Sequence, residues 1–131
     1  MACFNDLIGL QYKWGAHPAD GSGFTDCFAL SMEARRRLGL HDFFPEFQWV
    51  YEAYENEGVG GRQILQWIWQ RAECTKEARI GAVFRTKGCN GAGIALATII
   101  DNETALLIGP GKRVIALPFA TVAKGNFYWA D

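Results

Sequence analysis

The chain has no long apolar run, no strong excess of charge of either sign and only two histidines. A membrane-spanning helix needs about 20 consecutive apolar residues, so we expect no membrane insertion. The formal net charge is −1, whereas a nucleic-acid partner requires clustered lysine and arginine for its phosphates. The one basic run, residues 35–37, follows Glu33 in a helical pattern and is interpreted as a solvated helix face. Nucleic acid is therefore not an expected partner.

Cysteine is also sparse, and its spacing is not that of a metal site. Cys3, Cys27, Cys74 and Cys89 lack the paired spacing of zinc ligands, so we predict neither a metal nor a cofactor. The first 15 residues include a short apolar stretch but not the basic leader and apolar core of a secretory signal. We expect synthesis in the cytoplasm, where thiols usually remain unpaired.

What the chain does contain is enough material for one packed core. Half of its 131 residues are hydrophobic and 14% are aromatic, which predicts a single domain over residues 1–131. Helical spacing predicts helices over residues 4–14, 27–38, 45–57 and 61–73, with a loop over 15–23. Alternating patterns predict strands over residues 82–86, 92–100, 104–108, 113–117 and 127–129. Helices followed by strands indicate an α+β domain with an antiparallel sheet of four to six strands.

Cys27 is the candidate nucleophile. Thr25 or Asp26 is placed to cap the helix that Cys27 begins. The first turn of a helix favours a negative charge, and the thiolate is the reactive form of cysteine. A lone cysteine near a helix start is more often a small core residue, so the spacing by itself leaves both interpretations open.

Several stretches of the chain resemble the signature of the NlpC-type cell-wall cysteine peptidases. Residues 10–15 and 23–30 are similar to that family's Tyr-x-Trp-Gly, glycine-rich loop and Asp-Cys-Ser-Gly-Leu at the start of a helix. Residues 80–85 are similar to its Gly-Asp-Leu-Val-x-Phe strand, and residues 91–96 to its His-Val-Gly-Ile-x-Leu strand. The stretches follow the family's order, and the length and order resemble the compact variant carried by bacteriophages near their tail tips.

This resemblance implies a papain-like fold, in which a helical lobe bearing the nucleophile packs against a small antiparallel sheet. It also implies an ancestral activity on the peptide crosslinks of peptidoglycan. Tyr12 matches a position that lines the family's active site. The departures concern catalysis: the family's histidine falls on Gly91, its third polar residue falls near residues 106–108, which are apolar, and Ala82 replaces an aspartate. A cysteine peptidase needs a base to form the thiolate and an acid for the leaving amine.

Only His17 and His41 remain as substitutes for the lost base. His17 lies in the loop before Cys27 and is close enough in sequence to reach it, although a loop histidine that contacts backbone or a partner chain is the simpler interpretation. His41 follows the end of the helix, where a structural role is favoured. Tyr12 is either a cleft residue or a half-buried aromatic with a backbone partner.

The sequence therefore predicts a catalytically degenerate peptidase-like domain that acts as a structural or adaptor part, located in the virion tail at a tail tip or baseplate hub. Two alternatives stay open: a working peptidoglycan hydrolase that uses Cys27 with His17 as base, and a module that binds cell-wall peptides without cutting them. Other tail or baseplate proteins are the expected partners, in a hetero-oligomer. Trp67 and Trp69 are two apart on one helix and cannot both face one core, so we expect an aromatic group at an interface. The candidates are Trp67, Trp69, Phe43, Phe44, Phe47, Trp49, Phe127, Tyr128 and Trp129.

Overall fold

The computed structural model describes residues 3–55, 57–87, 94–123 and 125–130. The domain is mixed α+β, as the sequence predicts. Its helices are α1 (Cys27–Arg37), α2 (Gln48–Ala53), α3 (Glu57–Arg71) and α4 (Phe119–Val122). Its strands are β1 (Gln11–Tyr12), β2 (Phe24–Thr25), β3 (Glu73–Thr75), β4 (Val83–Lys87), β5 (Ile94–Ile99), β6 (Thr104–Gly109), β7 (Arg113–Pro118) and β8 (Phe127–Trp129). Single 3-10 turns span Asn5–Leu7, Pro18–Asp20, Phe44–Phe47 and Pro110–Lys112.

Helix α1 lies at the centre of the domain. Every residue from 28 to 35 is buried, which a helix lying on a surface would not show. One side, with Phe28 and Met32, packs against α2, α3 and Leu96 of β5. Another side, with Leu30 and Ala34, packs against β6 and β7. The helix that carries Cys27 is thus held between a helical layer and the sheet.

The described strands form one eight-stranded sheet in the order β2-β1-β7-β6-β5-β4-β8-β3. The meander from β4 to β7 is antiparallel and matches four of the predicted strands to within two residues. Three short strands, β1 to β3, were not predicted, and β1 pairs with β2 in parallel. Strands of two or three residues are too short to show a period-2 pattern, so the prediction of four to six strands was too low.

The predicted helix over residues 4–14 is wrong. The segment makes one 3-10 turn and then extends into β1, because Gly9 has a φ of +93°, which a helix does not allow. Gly9 N–H donates to the Val114 carbonyl, and Val114 N–H donates to the Leu10 carbonyl. Backbone pairing with the start of β7 thus overrides the helical pattern.

The predicted boundary between the second and third helices also needs correction. Helix α2 ends just before Tyr54 and not near Gly58. Helix α3 begins at residue 57 and includes Gly60. Trp14 explains both features. Its Nε1 donates to the Tyr54 carbonyl at 3.1 Å, and its ring covers Gly60 so closely that a Cβ there would overlap it. A contact from the N-terminal loop therefore shapes the helical layer.

The arginine run at the end of α1 is not a solvated face. Arg35 is only 2% exposed, and its guanidinium donates to the carbonyls of Gly81, Ala130 and His41 at 2.9, 2.7 and 3.2 Å. Its charge also lies over the Phe43 and Trp129 rings. Arg36 is the exposed member of the run. Arg35 therefore ties the end of α1 to the sheet, and the sequence pattern misassigned it.

Among the described residues, no helix has the length and apolar character needed to span a membrane.

Candidate functional site

Cys27 is the first residue of α1, as predicted, and its side chain is half-buried. Asp26, not Thr25, caps the helix. One oxygen of its carboxylate accepts the Ala29 N–H at 2.7 Å, and the other accepts the Gly15 N–H at 3.0 Å. Asp26 is 1% exposed, so this buried carboxylate fixes both the helix start and the loop before it. The position of Cys27 follows from that double contact.

Tyr51 reaches the same place from α2. Its hydroxyl is buried and makes no hydrogen bond of ordinary geometry with the described residues. Burial, and next the nearby Asp26 carboxylate, raise the pKa of Tyr51 far above its usual value, with smaller contributions from Cys27 and Tyr12. Asp26, Cys27, Tyr12 and Tyr51 therefore form one cluster. The sequence singled out Tyr12 and Cys27 but missed Tyr51, which lies on a different helix and in no motif.

Aromatic rings hold Tyr51 in this cluster. Its ring centroid lies 4.6 Å from that of Trp14 and 5.3 Å from that of Phe44. Phe44 also contacts Phe28, the residue after Cys27, at 6.2 Å between centroids. Such contacts stabilise a side chain beyond simple burial, so the tyrosine hydroxyl is kept beside the Asp26 carboxylate.

His17 lies near this cluster but is occupied by its own loop. Residues 18–20 form a 3-10 turn that the sequence did not predict, and His17 caps it: its Nδ1 accepts the Ala19 N–H at 3.0 Å. In return, the His17 N–H donates to the carboxylate of Asp20 at 3.0 Å. The Ser22 hydroxyl and the His17 and Ser22 backbone N–H groups lower the pKa of Asp20 to about 2. The imidazole ring meets Phe44 edge-on at 4.7 Å.

This arrangement limits what His17 can do chemically. A neutral imidazole has one nitrogen that accepts and one that carries the proton. Because Nδ1 accepts from the backbone, the proton is assigned to Nε2. His17 therefore has no free lone pair with which to deprotonate the Cys27 thiol unless the cap opens.

His41 lies at the opposite end of α1. Its Nε2 is 2.6 Å from a carboxylate oxygen of Glu46, and its ring packs on Phe43. Its carbonyl is bound by Arg35, which is eight residues from Cys27 and so about 12 Å along the helix axis. The structural role expected for His41 agrees with these contacts, and His41 is too distant from Cys27 to act on it.

The structure describes only one of the two other positions that the resemblance assigns to catalysis. Gly91, which takes the place of the family's histidine, lies outside the described residues, as does Cys89. Leu106 and Ile108 are buried beneath α1 with Leu30 and Ala34, so this part of β6 offers α1 an apolar surface. Within the described residues, no polar side chain of β6 takes the third catalytic position.

The tryptophan pair on α3 is not divided between core and solvent. Trp67 and Trp69 are both half-buried, and both pack on the cluster that contains Ile64 and Ile68. Residues 67 and 69 lie about 100° to either side of Ile68, so each packs at one margin of the buried stripe. The tryptophan that is exposed is Trp49, at 51%.

We compared the chain with protein-family models, with curated protein sequences and with solved structures, and none of them matches it.

Proposed function

We propose that this chain is a peptidase-like domain of the NlpC type that no longer catalyses hydrolysis and serves as a structural or adaptor part. The observation that carries the proposal is the hydrogen bond that His17 Nδ1 accepts within its own loop. The lone pair on its Nδ1 accepts the Ala19 N–H. The other histidine, His41, lies beyond the far end of α1, where its carbonyl is bound by Arg35, about 12 Å along the helix axis from Cys27. The chain has only these two histidines, so no imidazole is available to Cys27.

The arrangement around Cys27 supports the family part of the proposal. A papain-like domain places its cysteine at the start of a helix that packs against an antiparallel sheet. Here Cys27 begins α1, and α1 packs on β5 and β6. The segments that resemble the family's signature take part in this arrangement, since Gly15 N–H donates to the Asp26 carboxylate. These features support the family and not an activity, because fold and activity are separate properties.

The place in a bacteriophage tail tip or baseplate hub is proposed from the length of the chain and the order of the motifs. An adaptor needs a contact surface, and β3 provides a candidate. This strand is at the edge of the sheet, so the backbone groups on one of its sides are open to pairing with a partner strand. Trp69 and Tyr128, both in the predicted aromatic groups, lie beside it with tilted rings whose centroids are 4.3 Å apart. We propose that a neighbouring tail protein pairs with β3.

The test is incubation of the purified protein with crosslinked muropeptides, scored by mass spectrometry for cleavage and by calorimetry for binding. We expect no cleavage by the wild type and no difference in the Cys27→Ala variant. An absent general base lowers an enzyme's rate by about 10²–10⁴-fold, so long incubations at high protein concentration are needed.

Two outcomes would overturn the proposal. Cleavage that is lost in both Cys27→Ala and His17→Ala would establish an active hydrolase with His17 as its base. Muropeptide binding without cleavage, weakened by Tyr12→Ala, would establish a peptide-binding module instead. Ala19→Pro is a further variant to test, because proline lacks the N–H that His17 Nδ1 accepts. If this variant gains Cys27-dependent cleavage, His17 can reach Cys27 and only its lone pair was blocked.

A further inference from the structure

A concave surface lies between the helical segments, away from Cys27. The turn Phe44–Phe47 and helix α2 form one wall, and helix α3 forms the other. The groove encloses about 400 Å³, within the range of about 300–1,000 Å³ typical of small-ligand sites. Its lining includes Trp49 and Trp67, whose aromatic surface a ligand would cover.

The groove and the Cys27 cluster use opposite faces of α2. Trp49 and Tyr51 are two residues apart, which places them about 200° apart around the helix. Tyr51 faces Asp26 and Cys27, whereas Trp49 lines the groove. The two sites are therefore separate, and a ligand in the groove would not contact Cys27.

One wall of the groove is a row of amides. Gln63, Gln66 and Gln70 follow one another at spacings of three and four, so they share a face of α3. Their side-chain amides make no hydrogen bond with any other described residue. Each amide carries two donor hydrogens and one acceptor oxygen. The row extends for about 10 Å along the helix axis, so it can bind several hydroxyl groups in succession.

The opposite wall presents a flat apolar face. Trp49 is 51% exposed, and its indole contacts no aromatic ring within the described part of the chain. Trp67, in contrast, is fixed between Phe43 and Phe47, with ring centroids 5.0 and 4.9 Å away. Trp49 is therefore the surface available for stacking, and Trp67 is part of the rigid floor.

The charges of the groove balance. Its lining includes one acidic residue, Glu46, and one basic residue, Arg71. Glu46 is bound to His41 at 2.6 Å, and the Arg71 guanidinium lies over the Trp67 ring at 5.8 Å from its centroid. With no net charge on the lining, the groove has no overall preference for an anion or a cation. It suits a neutral ligand with an apolar face and many hydroxyls.

We propose that this groove binds a neutral oligosaccharide. The carbon-bound hydrogens on one face of a pyranose ring match the Trp49 indole, and its hydroxyls match the amides of Gln63, Gln66 and Gln70. The inference does not depend on the state of Cys27.

The experiment is an NMR titration of the tryptophan indole N–H signals of the full chain with three uncharged probes: cellotetraose, maltotetraose and tetra-N-acetylchitotetraose. The Trp49 signal is identified as the one absent in Trp49→Phe. We expect at least one probe to shift that signal. Affinities are measured by calorimetry, which does not need the Trp49 signal, and we expect them to fall by at least about tenfold in Trp49→Ala and about fivefold in Gln66→Ala, the loss of one hydrogen bond. Gln48→Ala is the matched control, since Gln48 is exposed on α2 and does not line the groove.

Three results would overturn the proposal. In the first, none of the three probes shifts the Trp49 signal at its solubility limit. In the second, Gln48→Ala weakens binding as much as Gln66→Ala, which shows nonspecific contact. In the third, Trp49→Ala changes the sedimentation of the protein, which identifies the groove as a protein interface. Trp49 is half exposed, so its substitution leaves the core intact, and a thermal melt verifies this. The muropeptide cleavage test reports on Cys27 alone, so the two proposals can fail separately.

Discussion

Replacing Arg35 with methionine tests whether the end of α1 is held to the sheet by a buried cation. Methionine keeps the unbranched stem between the Phe43 and Trp129 rings but removes the guanidinium. The carbonyls of Gly81, Ala130 and His41 then lose their arginine donors. Each lost hydrogen bond has a net contribution of about 1–1.5 kcal/mol once exchange with water is counted, so we expect the free energy of unfolding to fall by about 3–4 kcal/mol.

The buried charge does not cancel this loss. Replacing both members of a buried ion pair by apolar groups is often harmless, because no unsatisfied group remains. Here the acceptors belong to the backbone and cannot be replaced, so the deficit stays in the folded state. A domain is stable by only about 5–15 kcal/mol, and the change should lower the melting temperature by roughly 10–15 °C.

Urea denaturation of Arg35→Met and Arg36→Met gives the measurement and its control. Arg36 lies on the same turn of α1, but its side chain is 59% exposed and pairs with Glu33 at 2.6 Å. The Glu33 carboxylate is buried but keeps its bond from Arg37 at 2.8 Å, so we expect Arg36→Met to lower the unfolding free energy by about 1–2 kcal/mol, roughly half the loss in Arg35→Met. If the two variants are equally stable, the Arg35 guanidinium does not hold the three carbonyls and the description of the α1 end is wrong.

Two further predictions concern Glu33 and Tyr51. Hydrogen bonds from Arg36 and then Arg37, opposed by burial, lower the pKa of Glu33. A lowered pKa in the folded state contributes stability that is complete above the ordinary value of 4.5 and is lost as the pH falls. Glu33→Gln should therefore flatten the acid side of a plot of unfolding free energy against pH, and an unchanged slope would contradict this. Tyr51→Phe removes a buried hydroxyl that makes no hydrogen bond of ordinary geometry, so we expect the unfolding free energy to stay constant or rise by up to about 1 kcal/mol. A loss larger than this, absent in the neighbouring Tyr54→Phe, would mean that the hydroxyl binds the Asp26 carboxylate.

The parts of the fold that the sequence predicted are those with local signals. Helix α1 has a capping residue at Asp26 and a defined start, and its predicted and observed bounds differ by one residue. The hairpin between β5 and β6 has a turn at Asp101, whose carboxylate accepts the N–H groups of Glu103 and Thr104. In each case a short polar side chain binds backbone N–H groups a few residues away, and a short stretch of sequence is enough to predict such a contact.

The predictions that failed concern parts of the fold that depend on contacts between residues distant in sequence. The break at Tyr54 follows from a hydrogen bond across 40 positions to Trp14. The burial of Arg35 follows from carbonyls 46 and 95 positions away, and no helical pattern contains that information. Tyr51 was missed for the same reason, since it meets Asp26 only after α2 has packed beside α1. Tertiary contacts decide such positions, and single-sequence periodicity does not record them.

Three of the residues that carry the resemblance around Cys27 have a structural task in this fold. Trp14 packs on Gly60 and binds the Tyr54 carbonyl, Gly15 donates its N–H to Asp26 and has a φ of +84°, and Asp26 caps α1. None of these tasks requires a reaction at the thiol. A chain that lost catalysis would still need these residues in order to fold, so a match over them distinguishes the fold and not the activity. The discriminating group is the base, whose only function is chemical, and neither histidine of this chain supplies a free lone pair to Cys27 in the described structure.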